Sequence, residues 1–76
     1  MMTDNPDNPA GCLKFAGLLG HEFVIVKRSE HYSAVDGWAT TGEFSTLNAA
    51  KRHLEDGQRI YQKRIEGRKR MWHRVV

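Results

Sequence analysis

Residues 46–67 read TLNAAKRHLEDGQRIYQKRIEG, and the fold turns on what Gly57 does in the middle of them. Ser45 or Thr46 makes a good helix N-cap, since either hydroxyl can accept from the free first-turn N–H groups. At about 100° per residue, Leu47, Ala50, Leu54, Tyr61 and Ile65 share one apolar stripe, and Gly57 falls on that stripe too. Two readings follow. Asp56-Gly57 ends a three-turn helix and a hairpin comes next, or Gly57 sits inside one long helix at a cost of about 1 kcal/mol against Ala. Residues 58–66 do not alternate as a strand should, and Tyr61 and Ile65 continue the stripe. The long helix, ending near Gly67, is therefore the preferred reading.

Working outward, His21 to Arg28 is the clearest strand. Its Phe23-Val24-Ile25-Val26 run is β-branched and aromatic without a break, which points to burial on both faces or an abrupt core segment. Arg28 to His31 reads as a polar turn, Tyr32 to Val35 as a returning strand, and Asp36-Gly37 as a strong turn. Trp38 to Phe44 is extended or irregular, with Gly42 as a second break. Met71 to Val76 reads as a last strand. The expected fold class is α+β, a small ββαβ domain whose antiparallel sheet is packed by one long amphipathic helix. In GCLKFAGLLG, residues 11–20, a helical turn and a short strand both fit, at one edge of the core. Residues 1–10, rich in Pro, Asn and Asp, predict a disordered tail ahead of a single domain over 11–76.

A chain of 76 residues is one domain. At this size it buries roughly 60–65% of its unfolded surface, so oligomerisation is a live option. A single cysteine, Cys12, forms no internal disulfide and favours a reducing home. The start of the chain has neither the basic nor the apolar region of a signal peptide. No run approaches the roughly 18 apolar residues of a membrane span. The expected setting is the cytoplasm.

Charge is the best functional clue. Residues 1–45 hold three basic and six acidic side chains, net −3; residues 46–76 hold nine basic and three acidic, net +6. A clustered field of this kind attracts polyanions and acidic surfaces. On the long-helix wheel Arg52, Arg59 and Lys63 fall together opposite the apolar stripe. Arg64, Arg68, Lys69 and Arg70 extend the basic segment, and Arg74 follows in the last strand. With Trp72 these are the candidate partner-binding residues. Arg pairs bidentately with phosphate, each neutralised phosphate releases counterions, and Trp72 and Tyr61 offer rings on which a base can stack.

A purely structural account competes with this. Lys51/Glu55, Arg52/Asp56, Glu55/Arg59 and Glu66/Arg70 are i,i+4 pairs worth about 0.2–0.5 kcal/mol each on a helix. Cations near a helix end complement its dipole, which covers Arg68 to Arg70. Tyr61 on the stripe fits the core better than a stacking platform. Trp38 and Trp72 fit caps on the core. The helix pairs and the dipole absorb part of the +6, and the smaller patch where a partner is expected is Arg59 and Lys63, then Arg68 to Arg70 and Arg74 around Trp72.

No chemistry of bond making is visible. His21, His31, His53, His73 and Cys12 lack the spacings of a zinc site, and no metal or other cofactor is expected. Cys12 has no neighbouring base in sequence, Asp36 and Glu43 flank turns, and the glycines fit no phosphate loop. A non-enzymatic protein is expected. Ile60 with Ala49 forms a weak second apolar strip that suits a homodimer contact or the edge of a broad core stripe.

The segments Tyr32-Ser-Ala-Val-Asp-Gly-Trp38, Gly42-Glu-Phe-Ser-Thr-Leu-Asn-Ala-Ala-Lys-Arg-His-Leu54 and Met71-Trp-His-Arg-Val-Val76 resemble small accessory proteins of phages and mobile elements. That broad class includes anti-CRISPR and other host-inhibitor proteins, compact and non-catalytic. The resemblance spans about two-thirds of the chain, is carried by a capped helix after a hairpin, and brings no catalytic residues. It implies a binding protein that inhibits or modulates a nucleic-acid-handling host complex through its basic helix and last strand. Direct DNA or RNA binding by the same surface is the second expectation. A structural homodimer without a polyanion partner is the third.

Overall fold

The computed structural model describes residues 9–14, 16–17, 20–29 and 37–76. A short helix α1 (Ala10–Leu13) precedes two strands, β1 (Phe23–Arg28) and β2 (Trp38–Phe44). A second short helix, α2 (Leu47–Arg52), leads to β3 (Arg59–Glu66) and β4 (Lys69–Arg74). The strands form one antiparallel sheet in the order β2-β1-β3-β4. The α+β class and the antiparallel sheet match expectation; the single long helix does not exist.

The chain leaves the helical path at Arg52. Thr46 caps α2 as read from the sequence, its Oγ1 accepting from the Ala49 N–H at 3.2 Å. At the other end His53 Nδ1 donates to the Ala49 carbonyl at 2.9 Å and its ring stacks on Phe44 at 4.8 Å. Residues 55–58 then close a tight turn. The Gln58 N–H donates to the Glu55 carbonyl at 3.1 Å, and the Gln58 side chain accepts from the Glu55 N–H at 3.0 Å. Gly57 holds φ at 83°, the sign a type II turn requires at its third position. Gly57 is thus a breaker, and the helix-then-hairpin alternative is the one that forms.

The stripe misled because a spacing of four fits both periods. Tyr61 and Ile65 lie on one face of a helix, and equally on one face of a strand. Strict alternation is missing from β3 for a different reason. Ile60 and Tyr61 are both buried, on opposite faces of an internal strand, while Arg64 to Glu66 run out beyond the covering helices. The gradient of burial runs along the strand as well as across it.

Both faces of the sheet are covered. On one, Leu13 and Ala16 pack on Val24, Val26, Trp38 and Tyr61, with Cys12 and Trp72 at the margin. On the other, Ala50 packs on Ile25 and Ile60, flanked by Phe23, Phe44, Leu47, Leu54, Val75 and Val76. Successive residues of β1 therefore serve different cores, which is why Phe23 to Val26 is an unbroken apolar run. Residues 11–20, open between helix and strand, supply α1. Pro9 is fully buried, and its carbonyl accepts from the Cys12 and Leu13 N–H groups at 3.1 and 3.2 Å. Residues 1–8 of the expected 1–10 tail lie outside the described residues, as do residues 30–31 of the expected turn from Arg28 to His31 and the returning strand at Tyr32 to Val35.

The Trp38–Phe44 segment is a full edge strand with a bulge. Ile25 faces Gly42 and Val26 faces Thr40, leaving Thr41 as the extra residue. The last strand begins two residues earlier than expected and ends at Arg74; Val75 continues its pairing by donating to the Ile60 carbonyl at 2.9 Å. No helix among the described residues is long and apolar enough to cross a membrane.

Candidate partner-binding surface

Register places the basic residues. Gly67-Arg68 is a two-residue turn joining β3 and β4, with Glu66 opposite Lys69, Arg64 opposite Met71 and Lys63 opposite Trp72. β1 reaches β3 no further than Gln62 in the ladder, plus one bond from the Lys63 N–H to the Glu22 carbonyl at 2.8 Å. From residue 64 to residue 71 the two strands pair only with each other. At about 3.4 Å per residue the hairpin projects roughly 13 Å past the sheet. Residues 63–70 carry five basic side chains and one acidic one.

The expected grouping of Arg52, Arg59 and Lys63 on one helix face is not what forms. Arg52 ends α2 on one side of the sheet, and Arg59 and Lys63 alternate with Tyr61 on the other. Several of the cations are occupied internally. Lys63 Nζ donates to the Gly17 carbonyl at 2.9 Å, and Arg70 donates to the carbonyls of Ala16, at 3.1 Å, and Lys14. These two residues fasten the turn after α1 to the sheet, satisfying carbonyls that no helix or strand uses. Arg59 lies 4.6 Å and Arg28 5.0 Å from the centre of the buried Trp38 ring, and Arg59 also donates to the Tyr61 hydroxyl at 3.3 Å. Arg74 folds back on the Val76 carbonyl at 3.1 Å.

Arg64, Arg68 and Lys69 are exposed, and Arg64 donates to the side chain of its strand neighbour Gln62 at 3.2–3.3 Å. Two large apolar residues are exposed on opposite faces of the same hairpin: Met71 at 40%, paired across the strands with Arg64, and Ile65 at 65%, paired with Arg70. Sequence reasoning put Ile65 in the core and passed over Met71. The missed signal is the Gly67-Arg68 pair, a turn between two short charged runs. Trp72 is half-buried, and its ring closes on Gly17, so it is a core cap as well as a candidate contact.

The other polar groups are held locally. His21 sits 3.6 Å from Glu43, whose carboxylate also accepts from the Gly17 N–H at 3.0 Å; His73 pairs with Glu66 at 3.1 Å. An open cleft of about 370 Å³ at the opposite end of the sheet is lined by Lys27, Arg28, Glu55, Asp56, Gly57 and Gln58. None of those side chains pairs a nucleophile with a base.

Fold and surface together define a small α+β module, its sheet covered on both faces and extended by a basic hairpin. The sequence matches no protein-family model, no curated protein and no solved structure.

Proposed function

We propose that this chain is a small non-catalytic binding protein that grips an acidic protein surface with the projecting β3–β4 hairpin. In the phage and mobile-element class it resembles, the partner is a cytoplasmic nucleic-acid-handling host complex, which the protein inhibits or modulates in the manner of an anti-CRISPR. The observation that carries this reading is the exposure of Met71 and Ile65, one on each face of a hairpin that also exposes Arg64, Arg68 and Lys69. An exposed apolar side chain on each face, among cations, suits a protein partner that grips the hairpin from both sides, since a few anchors contribute most of the affinity of an interface. Nucleic acid alone gives Ile65 no reason to be exposed.

The second reading is direct binding to duplex DNA, favoured by the shape of the hairpin, since a two-stranded ribbon fits the major groove. Single-strand binding is less well supported: Trp38 and Tyr61 are buried and Trp72 packs on Gly17, so they offer no stacking platform.

The test is affinity purification from a host lysate, with and without nuclease, using the native chain and an Ile65→Asp, Arg68→Glu, Lys69→Glu variant. A protein partner that survives nuclease and is lost with the variant supports the first reading. Capture that vanishes with nuclease supports the second. With Arg64, Arg68 and Lys69 as the phosphate contacts, duplex affinity would then fall with a log–log salt slope of about −2.7. Undiminished capture of the same protein by the variant refutes the hairpin as the interface.

A further inference from the structure

We propose that an acidic, extended segment of the partner adds to β4 as a fifth strand, and this rests on the reading of the hairpin as the partner-binding surface. The sheet order leaves two edges, β2 and β4. β2 is a poor template, because the bulge at Thr41 breaks its ladder. β4 pairs in continuous register from Lys69 to Arg74 without a shift.

The direction of each backbone group on β4 follows from the turn. Glu66 and Lys69 flank a two-residue loop, so they form the hydrogen-bonded pair that closes the hairpin. Alternation then points the N–H and C=O groups of Met71 and His73 toward β3, and those of Arg70, Trp72 and Arg74 outward. Two bonds outside the ladder agree with this phase. Val75 donates to Ile60, two steps beyond His73, and Lys63 donates away from β4 to Glu22. Among the described residues no loop or helix backbone group bonds to the N–H or C=O of Arg70, Trp72 or Arg74.

Charge selects the occupant. β4 reads KRMWHR, with Lys69, Arg70 and Arg74 along the edge and no acidic residue. A second copy adding antiparallel, β4 to β4 about Trp72, would set Arg70 against Arg74 on both sides, and like charges directly opposite are destabilising. Nucleic acid could answer the charge, but it has no ladder of amide groups for the outward N–H and C=O. An acidic peptide strand answers both, with alternate side chains available to the exposed Met71.

The test is an NMR titration of the full chain with a synthetic peptide of about eight residues alternating Glu and Val, beside a neutral Thr/Val control. At saturation, amide exchange at Arg70, Trp72 and Arg74 should slow about tenfold or more, while Met71 and His73, already bonded to β3, change little. The acidic peptide should bind about tenfold more tightly than the neutral one. Arg74→Pro, which removes one outward N–H at an edge position that tolerates proline, should weaken binding about tenfold; Arg74→Gln, which keeps the N–H, should weaken it about threefold or less. Absence of saturable binding overturns the inference. So does binding without protection of those three amides, or an Arg74→Pro variant that binds like the native chain. Protection of the same amides by self-association or by a duplex oligonucleotide overturns it in favour of that occupant. Should the proline variant fail to fold, the protection pattern in the native chain decides. If the hairpin-tip variant loses the lysate partner but the peptide does not add to β4, strand addition alone is wrong. If the tip variant keeps the partner, the interface itself is wrong.

Discussion

Lys63 Nζ donates to the carbonyl of Gly17 at 2.9 Å, a contact between residues 46 positions apart. A cation that the sequence offers to a partner is in fact a fastener between the turn after α1 and the sheet. Arg70 does the same work one strand over, through the Ala16 and Lys14 carbonyls. The basic half of the chain therefore divides into cations that hold the fold and cations that stay exposed.

That division is measurable. Arg70→Gln should lower stability by about 1–2 kcal/mol, because the part-buried carbonyl of Ala16 loses a charged donor. Arg68→Gln should leave stability within about 0.5 kcal/mol, its side chain standing in the hairpin turn. Urea unfolding of both variants separates them.

Gly57 distinguishes the two readings of residues 46–67 by the sign of one substitution. Inside a helix, Gly57→Ala would stabilise by about 1 kcal/mol. In the turn, with φ at 83°, it should destabilise by about 1–2 kcal/mol, although no atom lies within 4 Å of the added Cβ. Denaturant midpoints at unchanged slope give the answer.

Gly17→Ala should cost more, about 2–3 kcal/mol. Here φ is 71°, and a Cβ would meet the Trp72 ring at 3.1 Å and the His21 carbonyl at 3.2 Å. A shift of Trp72 fluorescence should accompany the loss.

Ile60 and Ile65 sit five residues apart with opposite fates. Ile60→Ala should lose about 2–5 kcal/mol from the core beneath α2, whereas Ile65→Ala should stay within about 0.5 kcal/mol. Thermal melts of the pair test the direction in which burial fades along β3.

Thr46→Ala should cost about 1 kcal/mol, and Thr46→Asp should recover most of it, since a carboxylate can accept from the Ala49 N–H in the same place. Helical circular dichroism of the folded state should change little, α2 being only six residues long.

Local chemistry was legible from the chain. The Thr46 cap, the Phe23 to Val26 strand, the turn glycine at 37 and the late basic charge are all readable because each depends on a residue and its near neighbours. The choice at Gly57 was not, since a four-residue spacing satisfies helix and strand alike and only the partner strand breaks the tie. Tyr61 took its place from Val24 across the ladder, and Ile65 lost its place in the core because neither β1 nor either helix reaches it. Which cations bond internally was likewise settled by chain segments far away, the carbonyls of Lys14, Ala16 and Gly17. A sequence sets which groups are charged and which are apolar. Only tertiary packing decides which charges are used up inside, because a side chain's partner in space is fixed by closing loops whose ends the local sequence does not see.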